Sequence, residues 1–277
     1  MKHQHIRQRL AATWTYKMAV ILLAMLVVVP LVLILANVAT KGFPALRAAG
    51  FFTGLPRPVG EVGGGIIHAI LGSLLVVGIA VMLAVPLSVM TGVYLAENPR
   101  GRFAEWLRIS IDTLQGIPSI VIGLIVYAWV VRPLDFSALA GGVALALMML
   151  PIVTRTTEET IRLIPGVLKE AAYALGGSYF STMTRVIIPA ARSGIVSGIL
   201  LSTARVAGET APLLFTAFGN DHINLNPVKP VEALPLLIFK YATSPYEGWQ
   251  SLAWGGSLTL ILMILGLSLV AKVILKR

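Results

Sequence analysis

The sequence contains no cysteine, and only 12% of its 277 residues are charged. Without cysteine there is no disulfide framework and no thiolate metal site, so thiols carry no information about the compartment. So few charges, set against 57% apolar residues and a mean hydropathy of +0.85, exclude a water-soluble domain of this length. Histidine is scarce as well. His3 and His5 sit in an N-terminal tail without the further ligands a site needs, and His68 and His222 stand isolated, so no metal is expected. No Gly-Lys dipeptide occurs, hence no Walker A loop to cradle nucleotide phosphates. The formal net charge of +10 does not point to nucleic acid, because the basic residues are dispersed among apolar runs instead of forming a stripe on a soluble face.

What is present is six apolar runs, at residues 18–37, 66–87, 109–131, 139–152, 194–218 and 252–275. A helix needs ~20 such residues to cross a bilayer; the fourth run is short and is expected to extend helically through Thr156-Thr157-Glu158-Glu159. The expected fold is all-α, a polytopic transmembrane helix bundle of six spans. The apolar run behind the basic N-terminus is followed by no small-residue cleavage site, which favours a retained first span over a cleaved signal peptide.

Lysine and arginine set the orientation. With the N-terminus inside, the inner sections hold Lys2, Arg7, Arg9, Lys17, Arg100, Arg102, Arg108, Arg155, Arg162, Lys169, Arg185, Arg192, Lys272, Lys276 and Arg277. The outer sections hold only Lys41, Arg47, Arg57, Arg132, Lys229 and Lys240, so both termini are expected in the cytoplasm. Residues 40–65, rich in Gly and Pro, read as an external loop. The first span then looks like an addition, and the chain divides into a segment 1–65 and a core 66–277. Residues 219–251 read as a large outer loop whose Trp249 and Trp254 suit an interfacial belt better than ligand stacking.

Residues 170–189 are a polar island. Helix formers from Lys169 to Leu175 meet Gly176-Gly177, where the backbone can turn through left-handed conformations, and helix resumes until Pro189 closes the segment. The whole connection 152–191 is long for a structureless loop, which favours a docking element. Glu170-Ala171-Ala172, then Gly176, then Val186, Ile188 and Pro189, resembles the EAA loop of ABC importer permeases. That resemblance implies a cytoplasmic coupling helix that docks into a groove on an ATPase subunit.

Arg205 and Glu209 are four apart, so on a continuous helix they share a face and can pair. Arg205 lies roughly 20 Å above Arg192 at ~1.5 Å per residue, inside the hydrocarbon layer, where an arginine should face a bundle interior or an aqueous cavity. A static ion pair fixing helix packing is one reading. In the other, Arg205 offers its planar fork to an oxyanion while Glu209 holds it between transport events. Pro212, which removes a helical donor for the Gly208 carbonyl, allows a kink beside the pair. Asp112, Gln115 and Ser119 follow one another near Pro118, which disrupts the third span; Ser119 is a weak pathway candidate, and Asp112 more simply lies at the inner interface beside Arg108. Gly194, Gly198 and Ser202 recur at helical spacing and suit close helix packing.

The block from Arg205 to Phe215, with Ser244-Pro245, Gln250 to Trp254 and Gly116 to Val121, resembles the A-type permease subunits of high-affinity phosphate ABC importers over the chain from about Ile66 onward. The resemblance implies a type I ABC importer permease fold in a bacterial inner membrane. It also implies the partners: a homologous second permease, a cytoplasmic ATPase dimer and an extracytoplasmic phosphate-binding protein. Arg205 and Glu209 would serve phosphate passage, and Glu170, Ala171, Ala172, Gly176 and Pro189 would couple to the ATPase. The chain itself would be no enzyme and hold no cofactor, ATP being bound by the partner. An ion-coupled secondary carrier with Glu209 as the titrating group, a permease for a related oxyanion, and a scaffold without transport remain open from the residues alone.

Overall fold

In the computed structural model the backbone is described for residues 2–58, 61 and 63–275, and side chains for 13–58, 61 and 63–269. Apolar runs make helices, and glycine and proline decide where those helices end. The helices are α1 (Lys2–Leu46), α2 (Ile67–Glu97), α3 (Arg102–Gly116), α4 (Ser119–Leu134), α5 (Ala138–Arg162), α6 (Gly166–Ala174), α7 (Tyr179–Ala207), α8 (Ala211–Leu214), α9 (Leu234–Ala242) and α10 (Glu247–Leu275). Five are long and apolar enough to cross a membrane, and α3 with α4, bent by 105°, make a sixth if that pair is one span. Among the described residues the only extended pairing is an isolated bridge between Phe218 and Val231. The all-helical membrane bundle is what the apolar runs led us to expect.

The disruption expected at Pro118 is a sharp bend between two helices: Pro118 holds Ile117 in extended backbone (φ −73°, ψ 129°), and the chain turns there. Three expectations need correction. Pro189 does not close the polar island, because α7 runs through it; the wide turn at Met183–Ile187 immediately before it has a longer hydrogen-bond register, which accommodates a residue without an N–H. The connection expected over 152–191 is correspondingly shorter, since α5 reaches Arg162 and α7 starts at Tyr179. The fifth run is not one helix to Phe218: α7 stops at Ala207, and Pro212 opens the separate α8.

Lipid tails are as apolar as leucine, so helix association depends on close van der Waals packing, and small residues supply it. At the centre α2 and α5 lie together, with Val76, Ala80, Ala84, Leu145 and Met149 buried between them. A methyl at Gly92 would stand 2.6 Å from the Thr157 Cβ. On the other face of α5, a methyl at Gly198 would stand 2.5 Å from the Thr156 side chain and one at Gly194 would overlap Thr160, while Ser202 is buried. The small-residue stripe on α7 is a packing seam, as its spacing suggested.

The connection after α8, expected as an outer loop, is more than a loop. It contains α9, whose Leu234, Leu236 and Leu237 are buried against α2 and α10. Ser73 on α2 accepts a hydrogen bond from the Leu234 amide at 2.7 Å, and Gly72 lets the Glu232 carbonyl sit directly on the α2 backbone. Trp249 stacks on Tyr241 at 4.9 Å and donates to the Arg57 carbonyl at 3.3 Å, so it also ties α9 and α10 to the connection between α1 and α2.

Candidate functional site

Arg205 lies in the last turn of α7, exposed. Beyond it the backbone leaves the helix at Gly208 (φ −97°, ψ 0°), and the Glu209 amide bonds only to the Val206 carbonyl three residues back. Glu209 is therefore outside the helix, and no ion pair joins it to Arg205 among the described residues. The pairing of Arg205 with Glu209 that both readings of the four-residue spacing used is not formed, because that spacing places side chains together only on an unbroken helix.

Arg205 borders the break between α3 and α4. A niche of about 20 Å³ is lined by Leu114 and Gln115 on α3, Ile117 in the break and Ile122 on α4, by Met148, Pro151 and Ile152 on α5, and by Arg205. It has room for about one water, so any larger solute would meet Arg205 from its open side. Ser119 opens α4 at the same break, half-buried. The first intrahelical bonds there are donated by Val121 and Ile122 to the Pro118 carbonyl, which leaves the Ser119 and Ile120 amides ahead of the ladder. Gly123 admits Pro212, a methyl there standing 2.8 Å from the Pro212 Cα, so α4 and α8 are clasped beside the arginine. A guanidinium without a counter-ion among the described residues, in the last turn of a helix apolar enough to cross a membrane, cannot face lipid and belongs against water or another subunit.

The polar island contains a helical hairpin. α6 ends in a turn where Gly176 adopts φ +81°, its amide bonds to the Tyr173 carbonyl at 2.9 Å, and the Gly177 amide bonds to the Ala172 carbonyl at 3.0 Å. This pair of bonds is the Schellman arrangement, which needs a left-handed residue where Gly176 stands. No residue of α6 is buried. Glu170 and Ala171 are exposed and Ala172 half-buried, and around them Leu163 (82% exposed), Val167 and Leu175 (89%) form an exposed apolar surface. Pro189 stands apart, exposed on α7. Lys169 pairs with Glu97 at the end of α2 and so fixes α6 to the bundle.

Sequence reasoning missed the link between these two regions. Glu158 on α5 is 1% exposed and takes three guanidinium partners: Arg108 at 2.8 Å, Arg155 at 3.2 Å and Arg162 at 2.8 Å. Arg155 also holds Asp112, so Asp112 pairs with α5 and not with Arg108 as proximity in sequence suggested. Arg108 further donates to the Leu95 carbonyl at 2.8 Å and the Pro99 carbonyl at 3.2 Å, closing the C-terminal end of α2. The spacing of Arg155, Glu158 and Arg162 on one helix face was a legible signal for part of this network.

His68 is not isolated. At the opposite end of α2 it meets Asp221 and Glu232, one ligand-type atom from each lying within 4.8 Å of the others. His68 and Glu232 are both 3% exposed. Burial pushes the Glu232 carboxyl up from its ordinary range, and Lys240, 2.7 Å from its Oε2, opposes that shift.

A family model described as "Binding-protein-dependent transport system inner membrane component" matches residues 84–277. The chain is 45% identical over 249 residues to the phosphate transport system permease protein PstA of Yersinia pestis, covering 89% of this chain and 84% of that protein. It is 41% identical over 276 residues to PstA 1 of Mycobacterium tuberculosis H37Rv, covering 98% and 88%. Among solved structures, the methionine ABC transporter MetNI in an inward-facing form aligns with a TM-score of 0.64 at 16% identity, covering 76% of this chain and 94% of that one.

Proposed function

The chain belongs to the family of binding-protein-dependent transport system inner membrane components, and on that premise we propose how its residues divide the work of a permease subunit in an ABC phosphate importer. It is a multi-pass membrane protein with the type I ABC importer permease fold and is not itself an enzyme. It acts with other subunits of that transporter. The carrier and scaffold alternatives are set aside, since both the family and the fold are those of ABC permeases.

In our reading those subunits are a homologous permease facing Arg205, two cytoplasmic ATPase copies that bind ATP, and an extracytoplasmic phosphate-binding protein, with both termini of this chain inside. Phosphate passes between the permeases. Arg205 attracts it with a charge that no acid among the described residues neutralises, and the amides at the start of α4, beside Ser119, add partial positive charge at the same break. Glu209, close by and half-buried, limits how long the anion stays by opposing it. The ATPase holds α6 through Glu170, Ala171 and the apolar surface around Leu163 and Leu175, while Gly176 keeps the hairpin turned. Displacement of α6 reaches α2 through Lys169 and Glu97, and α3 through the Glu158 network, so the bend beside Arg205 moves with the motor.

The observation that carries this reading is an exposed arginine, without an ion pair among the described residues, in the last turn of a membrane-spanning helix. Phosphate uptake into vesicles holding the assembled transporter tests it. Arg205→Gln is expected to leave assembly intact and remove uptake, with Arg205→Lys retaining a fraction. Normal uptake by Arg205→Gln removes the arginine from the path.

A further inference from the structure

The three acidic and imidazole side chains at the outer end of the bundle come from three separate segments. His68 is in the first turn of α2, Asp221 is in the connection after α8, and Glu232 lies just before α9. They stand about 45 Å along α2 from the end that meets α6, at ~1.5 Å per residue, so the coupling machinery does not need them. Both ring nitrogens of His68 and Oε1 of Glu232 are buried without a hydrogen-bond partner. Buried polar groups of this kind are almost always satisfied. Here one atom from each of the three residues lies within 4.8 Å of the others, yet no hydrogen bond joins His68 to Glu232. That spacing leaves room for an atom between them. Around a tetrahedral ion with bonds of about 2.0–2.2 Å, ligand atoms stand roughly 3.4 Å apart, so a small contraction completes the geometry.

We propose that His68, Asp221 and Glu232 form a binding site for a divalent first-row transition metal, with Zn²⁺ the best-fitting ion, which fastens the outer connection to the top of α2. One imidazole and two carboxylates are a borderline donor set, unlike the all-oxygen cages of Ca²⁺ and Mg²⁺. Lys240 supports the site from behind. It occupies Oε2 of Glu232 at 2.7 Å and leaves Oε1 free to point at the ion, the usual role of an outer partner to a ligating carboxylate. An entry path exists: a cleft of about 310 Å³ bounded by Leu214, Phe218, Gly219, Asn220, Asp221 and Lys240 opens beside the exposed Asp221. The frame is rigid where it must be, because the Glu232 carbonyl rests on Gly72 and the Leu234 amide is held by Ser73.

The test uses the assembled transporter, purified with an affinity tag that contains no histidine, stripped by chelator and titrated with Zn²⁺ alone. Metal content and thermal unfolding are read together. Wild type is expected to bind one Zn²⁺ per copy of this chain more than Asp221→Asn does, and to unfold at a higher temperature when loaded. Asp221 is exposed, so Asp221→Asn folds normally, and it should weaken binding by more than the roughly tenfold that losing an outer partner costs. His68→Gln should behave the same way. Equal Zn²⁺ content in wild type and both variants places any bound ion elsewhere, for instance on the histidines of the N-terminal tail, and overturns the site. Saturation by Ca²⁺ with no response to Zn²⁺ overturns the assigned metal class. Failure here leaves phosphate uptake through Arg205 untouched, so the two readings stand or fall separately.

Discussion

Glu158 and Arg205 lie on neighbouring helices and have opposite surroundings. Glu158 is sealed in protein and surrounded by three arginines, whereas Arg205 is exposed and has no acidic partner among the described residues. A carboxylate taken out of water is stable only when its charge and lone pairs are matched, so Glu158 is committed to holding α2, α3 and α5 in register. A guanidinium left open keeps its donors free for something that arrives and leaves. In this bundle paired charge builds the frame, and in the proposed reading the charge left without a partner is kept for the solute.

Breaking the frame should have the largest effect. Glu158→Ala leaves three guanidinium groups facing one another around a cavity, and removing one member of a buried charge cluster costs about 3–5 kcal/mol. We expect loss of folded protein, measured as recovery of the complex from membranes and its unfolding temperature. Full recovery with wild-type unfolding would mean that the cluster is dispensable, and the contrast with Arg205 would disappear. Arg205→Gln comes next: uptake is lost while recovery and unfolding stay at wild-type values. A combined loss of stability and uptake would make Arg205 a packing residue like those around Glu158.

Gly176→Val should have an intermediate effect. The φ of +81° there costs an L-residue about 1–2 kcal/mol, and a β-branched one more, so the Schellman turn opens and α6 loses its angle. Co-purification of the ATPase and its stimulated hydrolysis are expected to fall, with the membrane bundle itself intact. Unchanged values for both would mean that the turn does not set the docking surface.

The sequence revealed these regions unequally. Spans, the bend at Pro118 and the turn at Gly176 were readable because each is a local property: a run of apolar residues, a missing N–H, a missing Cβ. Pro189 misled for the same reason, since the wide turn at Met183–Ile187 that tolerates it is not a property of proline. The pairing of Arg205 with Glu209 failed because Gly208 is compatible with a helix, and only the start of α8 at Pro212 decides that the helix has already ended. The partners of Glu158 on its own helix were readable from spacing, but its burial depends on Arg108 arriving from α3. His68 looked solitary because Asp221 and Glu232 reach it only after α9 has folded back onto α2. For Glu158 and His68, what was unreadable was a contact between segments distant in sequence.

The smallest effect belongs to the pair that joins the two regions, Lys169 on α6 and Glu97 on α2. Both side chains are partly exposed, and a pair in such a place contributes about 0.2–1 kcal/mol, too little to decide folding. If the pair transmits force, its effect should appear in coupling more than in stability. Lys169→Met and Glu97→Gln should each lower phosphate uptake per ATP hydrolysed, by less than Gly176→Val does, with unfolding almost unchanged. The double variant should be no worse than either single one, because the second substitution removes a contact already lost. Additive losses in the double variant would mean that the two residues act separately, and that α6 moves the bundle by another route.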